Sequence, residues 1–326
     1  MSFQIPKENY TGKINTLILG KNKSELLIGG ETALPFFNFE GEIPNRPIIA
    51  MDVYDFRPEN WPEALLKYYD DVLDDPIKWA KKCIDEYGAD AICLNLSGIN
   101  PDINKLSAEE ASELTKNLRA AIDKPLIVYG DGPLEVIAEV MKKVSEKNAD
   151  SNILMGWVED DNYKTLAASA IGYKNNIIAL DPLDVNIAKQ LNILLTQLGL
   201  PADKIAMDPS SSCLGYGIEY CFSAMERLRI AALLQDDKMT QMPIINNIAI
   251  EVWKSKEAKE SEENYPEWGN AEERGINWET ISAMCMLISG SNIVTMRHPK
   301  AVSLIKEVIS ELLYNRKYFL NKERHD

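Results

Sequence analysis

The chain has 326 residues, 45% of them hydrophobic and 26% charged, with a formal net charge of −15. That balance supports a large buried core, and the length suits one α/β barrel as well as two average domains. The acidity opposes non-specific binding to nucleic acid or anionic lipid, because phosphates are repelled.

The lysines at Lys142–Lys143 and Lys254–Lys259 are interleaved with glutamate and read as solvated helix surface. Residues 1–15 are polar and carry no apolar signal-peptide core. No window approaches the roughly 20 apolar residues of a membrane span. A soluble, cytoplasmic protein is expected, with neither nucleic acid nor membrane as a partner.

In chain order, Lys13–Leu19 and Glu25–Ile28 flank Gly20-Lys21-Asn22-Lys23 and predict a β-hairpin. From Pro47 onward, short apolar runs alternate with amphipathic helices. The first run, Pro47–Val53, leads through a loop to a helix with Asp75 as N-cap, Pro76 as first residue and Gly88 at its end. The second, Ala91–Leu96, precedes a helix opened by the capping box Ser107/Glu110. Pro125–Tyr129 and Asn152–Met155 follow, each with a helix. Asn176–Leu180 precedes the cleanest amphipathic stripe, Ile187, Leu191, Leu194, Leu195 and Leu198.

Lys204–Met207 leads to a helix over about 218–234, Met242–Asn246 to one over about 278–288, and Asn292–Met296 to the last. Between the seventh strand and its helix, residues 248–277 exceed ordinary loop length and hold a helical stretch at Glu251–Glu260.

Eight strand–helix units are the number that closes a barrel. An open doubly wound sheet would show a glycine-rich turn after its first strand, and the Asp52–Asp74 loop contains no glycine. The expected fold is therefore α/β, a (β/α)8 TIM barrel with an N-terminal hairpin plugging its N-terminal mouth and a long insertion after strand seven. One domain is expected over 1–326, with a lead-in at 1–46, the barrel at 47–319 and a tail at 320–326.

The five cysteines (Cys83, Cys93, Cys213, Cys221, Cys285) form no CxxC pair, so neither a disulfide framework nor a four-cysteine cluster is indicated. Cys83, Cys93 and Cys285 read as buried thiols, and Cys213 falls in a loop where exposure is expected. With only His298 and His325, multi-imidazole catalysis and zincin-type metal sites are excluded.

Function in a barrel gathers at the C-terminal ends of the strands. Those ends supply Asp52, Asn95, Gly130–Asp131, Trp157, Asp181, Asp208, Asn246–Asn247 and Arg297–His298. Each residue taken singly reads as a cap on local backbone. Together they offer amides and carboxylates but few nucleophiles or bases, which suits hydrogen bonding to a heterocycle or to peripheral amides better than covalent catalysis. The loop Asp208–Tyr220 adds Gly215 and Gly217, which permit close backbone approach, and the flat rings of Tyr216 and Tyr220. His298 reads as a loop residue, and no metal ligand is assigned.

Four segments carry a family resemblance: TALPFFNFEGEIPNRP at 32–47, DPLDVNIAKQLNI at 181–193, GYGIEY at 215–220 with MER at 225–227, and MRHP at 296–299. They resemble the small (delta) subunit of the corrinoid iron–sulfur protein of the reductive acetyl-CoA (CO dehydrogenase/acetyl-CoA synthase) pathway, in the same order and over nearly the whole chain. The resemblance implies a barrel related to pterin-dependent methyltransferases, non-catalytic on its own. It implies a heterodimer with a large subunit that carries a [4Fe–4S] cluster and a cobalamin-binding domain. Methyltetrahydrofolate methyltransferase and acetyl-CoA synthase are the further implied partners.

The corrinoid would then sit over the barrel mouth. Asn95, Asp131, Asp208, Gly215, Tyr216, Gly217, Asn246, Asn247 and Arg297 are the candidate contacts. The absence of an Asp-x-His-x-x-Gly motif and of clustered cysteines agrees with that division of labour. The alternative is a stand-alone methyltetrahydrofolate-dependent methyltransferase, with Asn95, Asp208 and Asn246 where such barrels hold a pterin ring.

Overall fold

The computed structural model describes residues 6–314. An antiparallel hairpin, β1 (Thr16–Leu19) and β2 (Leu26–Gly29), precedes β3 (Ile48–Tyr54). Then come α1 (Glu63–Tyr69), α2 (Pro76–Asp85), β4 (Ala91–Leu96), α3 (Ala108–Ala121), β5 (Leu126–Gly130) and α4 (Leu134–Lys147). They are followed by β6 (Leu154–Val158), α5 (Tyr163–Tyr173), β7 (Asn176–Leu180), α6 (Val185–Gln197), β8 (Ile205–Asp208) and α7 (Ile218–Leu233). After β9 (Ile245–Asn246) come α8 (Ile248–Lys254), α9 (Lys256–Lys259), α10 (Ala271–Ser289), β10 (Ile293–Met296) and α11 (Pro299–Tyr314).

Strands β3 to β10 form one eight-stranded parallel sheet in the order β8-β7-β6-β5-β4-β3-β10-β9. Its two ends meet, because the Met207 N–H donates to Pro243 O at 2.8 Å and Met207 bridges Ile244. The sheet is thus a nearly closed (β/α)8 barrel with helices between its strands.

The caps read from the sequence form as expected. Asp75 accepts N–H bonds from Ile77 and Lys78, and Ser107 and Glu110 bond each other's backbone. Gly88 ends its helix at φ +70°, a conformation that favours glycine.

Strand periodicity sorts the side chains. Outward residues of β3 and β4, among them Ile49, Met51, Val53, Ile92 and Leu94, pack under the helices. Inward residues Ile48, Ala50, Ala91, Cys93, Ile127, Leu154, Ile178, Ala206, Ile245 and Ile293 fill the barrel. Leu17, Leu19 and Ile28 of the hairpin join that inner cluster, while Ile18 and Leu27 face solvent. Asn176 Nδ2 ties the plug in place by donating to Ile18 O at 2.9 Å.

Three elements differ from the sequence reading. The Asp52–Asp74 loop holds α1, whose Leu65 and Tyr69 are buried; its seven residues are too short for a periodic signal. The seventh strand pairs at only two residues, since Pro243 lacks an N–H for the ladder. The stretch at 251–260 is split into α8 and α9 at Ser255, whose extended backbone (ψ 147°) breaks the helix. The expected tail at 320–326 lies outside the described residues.

The plug predicts its own test. Leu17→Ala removes an isobutyl group from a fully buried site, and should cost about 2–5 kcal/mol of unfolding free energy, read from urea midpoints. The same change at exposed Leu27 should cost under about 1 kcal/mol.

Candidate functional site

The alternation that fills the barrel also builds its mouth. Continuing the inward columns leads from Ala50 to Asp52, from Cys93 to Asn95, from Ala206 to Asp208, from Ile245 to Asn247, and from Ile293 to Thr295 and Arg297. A polar layer therefore lies on an apolar one. Asp52, Asn95, Asp208, Asn246, Asn247 and Arg297 are each at most 5% exposed.

On one side of this layer, Arg297 Nε donates to Asp52 Oδ2 at 3.1 Å and its Nη2 bonds the Tyr54 hydroxyl. The guanidinium lies over the rings of Trp61 and Tyr54, 4.9 and 5.2 Å from their centroids. Burial raises the Asp52 pKa, and the Arg297 charge opposes that rise.

Across the mouth, Asp208 is bracketed by aromatic donors. Tyr129 Oη and Trp157 Nε1 reach its Oδ2 at 3.5 and 3.4 Å, and Ser210 N–H donates to Oδ1 at 2.9 Å. Burial lifts Asp208 to about 7 despite those donors. Asp181 donates its N–H to Asp208 O, and burial followed by the Asp208 charge pushes its carboxyl up to about 9. Asn246 Nδ2 donates to Ser211 Oγ at 3.2 Å, and Asn247 Oδ1 accepts from Thr295 Oγ1 at 2.8 Å.

Several polar atoms in this layer have no protein partner. They are both amide atoms of Asn95, both carboxyl oxygens of Asp181, Oδ1 of Asn246, Nδ2 of Asn247 and Oδ1 of Asp52. Asn95 also lies near enough to Asp52 to lower its pKa slightly, but outside hydrogen-bond geometry. Buried polar groups are ordinarily paired, so such a concentration marks a place that a polar ligand or water completes.

The predicted residues fall into two sets. Asn95, Asp208, Asn246, Asn247 and Arg297 form the buried floor. Asp131, Gly215 and Tyr216 form an exposed rim; Tyr216 is 79% exposed. Gly217 is buried between them, and a Cβ there would collide with the Tyr220 ring. An apolar groove of about 360 Å³ runs from Gly215 and Tyr216 to Trp278 and Ile281.

Two expectations are corrected. Cys213 is buried, because the turn at Gly215 folds its loop back so that Cys213 and Leu214 pack onto the core beside Cys221. His298 is fully buried between Tyr68 and Trp253, with Nε2 3.6 Å from Glu272 Oε1, and burial lowers its pKa to about 4.

Sequence reasoning missed Glu279, whose two carboxyl oxygens accept the N–H groups of Arg297 and His298 and so fix the turn after β10. Its signal was present: it is the one charged residue between Arg274 and Ser289. It also missed Tyr129 as the donor to Asp208, which strand parity with Ile127 could have revealed.

A family model for the CO dehydrogenase/acetyl-CoA synthase delta subunit matches residues 16–305. The chain belongs to this family. It is 35% identical over 323 residues to the acetyl-CoA decarbonylase/synthase complex subunit delta of Archaeoglobus fulgidus, covering 95% of this chain and 71% of that protein. Its identity to the corresponding subunit of Methanocaldococcus jannaschii is 33% over 317 residues, covering 94% and 76%.

Among solved structures, dihydropteroate synthase of Xanthomonas albilineans superposes with a TM-score of 0.54 at 11% identity, covering 90% of this chain and 98% of that one. The enzyme from Thermus thermophilus gives 0.53 at 13% identity, with 92% and 100% covered. These two likenesses are of fold. Among the described residues, no helix is long and apolar enough to cross a membrane.

The floor carboxyls make a pH prediction. A carboxyl whose folded pKa lies above its unfolded value holds its proton longer in the native state. Stability is then fully present below about pH 4, the unfolded pKa, and declines as pH rises to the folded pKa, by up to about 1.4 kcal/mol per pH unit per group. Asp181→Asn should flatten the decline between pH 7 and 9, measured as urea midpoints. A variant that declines as steeply as the wild type contradicts the assignment.

Proposed function

We propose that this delta-family chain is the small subunit of a corrinoid iron–sulfur methyl carrier, and that its barrel mouth forms one wall over a cobalamin held by a large companion subunit. The observation that carries the reading is the pairing of an exposed glycine–tyrosine rim with a floor of unpaired amides at the C-terminal mouth of a delta-family barrel.

The residues present fit such a group as a wall rather than as an anchor. The rim, Asp131 with Gly215 and Tyr216, offers a carboxylate, close backbone approach and a flat ring to a macrocycle bordered by carboxamides, and Gly217 makes room for the Tyr220 ring behind it. Asn95, Asn246 and Asn247 lie beneath it, with amide atoms free to take an inserted carboxamide. Among the described residues the single imidazole, His298, does not fit as an axial ligand, since its Nε2 faces Glu272 under two aromatic rings.

A bound corrinoid would supply the methyl-carrying chemistry between methyltetrahydrofolate, through a separate methyltransferase, and the nickel site of acetyl-CoA synthase. This chain's residues orient and shield. Tyr216 covers one edge and keeps water out, Asp131 orients peripheral amides, and the Arg297–Asp52 pair holds the floor rigid. A [4Fe–4S] cluster belongs to the companion under this reading, and the chain is non-catalytic alone, working in the cytoplasm.

A second reading rests on the floor alone. Asn95, Asp208 and Asn246 line up polar atoms below the rim, at a depth that suits a small heterocycle, and a stand-alone pterin-dependent methyltransferase would use them. It predicts heat of binding when methyltetrahydrofolate is titrated into the isolated chain, and loss of that heat in Asn95→Ala. No heat at millimolar ligand removes this reading.

The wall assignment is tested by co-expression with the large subunit. Tyr216→Ala and Asn246→Ala should each lower cobalamin retention and methyl-transfer rate severalfold. Wild-type values for both variants would sink it.

A further inference from the structure

The exposed apolar side chains are unevenly distributed. Of the fourteen large hydrophobic residues exposed among the described ones, seven lie on the loop before α7, on α7 and on α10: Tyr216, Tyr220, Ile230, Leu234, Ile281, Met284 and Ile288. Their spacing is helical. Ile281, Met284 and Ile288 follow one another at i, i+3 and i+7 along the outer side of α10, and Tyr220 and Ile230 of α7, with its C-cap Leu234, line the outer side of that helix.

The opposite side of α10 is already used against the barrel, where Ala283, Met286 and Leu287 are buried. A barrel helix needs one apolar face, and α10 has two. Helices α7 and α10 pack against each other, so the two stripes form one surface. Ile281 also lines the groove under Tyr216, so that surface is continuous with the rim of the mouth.

The helices span 16 and 19 residues, about 24 and 28 Å at 1.5 Å per residue. Side by side at about 10 Å separation they present a face on the order of 500 Å². With the groove, that footprint approaches the ~800 Å² per partner of a stable complex.

We propose that the outer face of α7 and α10 is the docking surface for a different polypeptide, one presenting an apolar helical face bordered by lysine or arginine. The border of this face decides against a second copy. Glu219, Glu226 and Glu273 are exposed around it and form no ion pair among the described residues, against two cations, the exposed Arg227 and the half-buried Arg274, whose guanidinium bonds backbone carbonyls. Two copies would bring acidic rims together, on chains that each carry −15. Resting on the methyl-carrier reading above, the occupant is the large corrinoid subunit, which the same surface would hold beside the mouth.

The test is co-expression of the tagged chain with that large subunit. Ile281→Asp and Ile288→Asp should weaken the pair roughly 30-fold or more, the scale of a central interface anchor, while the isolated variants keep the wild-type thermal melt. Should they melt early, hydrogen exchange on the wild type decides: the complex should protect residues 218–234 and 277–288 relative to the free chain.

Glu226→Lys combined with Glu273→Lys should also weaken pairing, most at low salt. If the wild-type pair forms but the isoleucine variants pair equally well, or those segments gain no protection, the surface assignment is overturned and the methyl-carrier reading stands. A wild-type chain that ignores the large subunit overturns both. Self-association abolished by Ile281→Asp overturns the choice of a different chain.

Discussion

Closure of the eight-stranded parallel sheet is the constraint from which the rest follows. Once Met207 bonds Pro243 across the last gap, no strand can shift by one residue without turning its inward column outward. Inward positions then carry Ile48, Ala91, Ile127 and Ile245 at the bottom and Asp52, Asn95 and Asn247 at the top. The apolar layers and the hairpin plug supply stability. The polar layer above them is held in place by that stability and contributes to it poorly, since many of its atoms lack partners.

Burial without pairing gives the mouth its character. Desolvation raises Asp181, Asp208 and Glu279 well above the usual carboxylate range, and raises Asp52 as well, against the opposing charge of Arg297. The floor therefore holds less negative charge than its carboxyls would carry in water, and its unpaired amides can exchange hydrogen bonds with a polar group. The rim above it is exposed and aromatic. Membership of the CO dehydrogenase/acetyl-CoA synthase delta subunit family gives this combination of deep amides and open rim a biological setting.

Much of this was legible in the sequence because the signals were local. Asp75–Pro76 and Ser107/Glu110 announce helix starts by capping chemistry that acts within four residues, and short apolar runs announce strands. The strand-end set followed from counting eight units. What was hidden depended on contacts distant in sequence. Burial of Cys213 needs the Gly215 turn to meet α7, and His298 is enclosed by Tyr68 and Trp253, which precede it by 230 and 45 positions. The short α1 and the two-residue β9 are fixed by packing rather than by propensity. The outward stripe of α10 was masked because its inner stripe alone already accounts for an apolar helix.

A barrel with an open polar mouth, a second apolar face beside it and, among the described residues, no imidazole free to bind a metal suits the proposal that another chain holds the reactive centre. The most direct measurement is the visible absorption spectrum of the chain isolated anaerobically from its own cells. An equimolar companion with a corrinoid band and an iron–sulfur shoulder is the predicted result. A colourless chain travelling alone would contradict it.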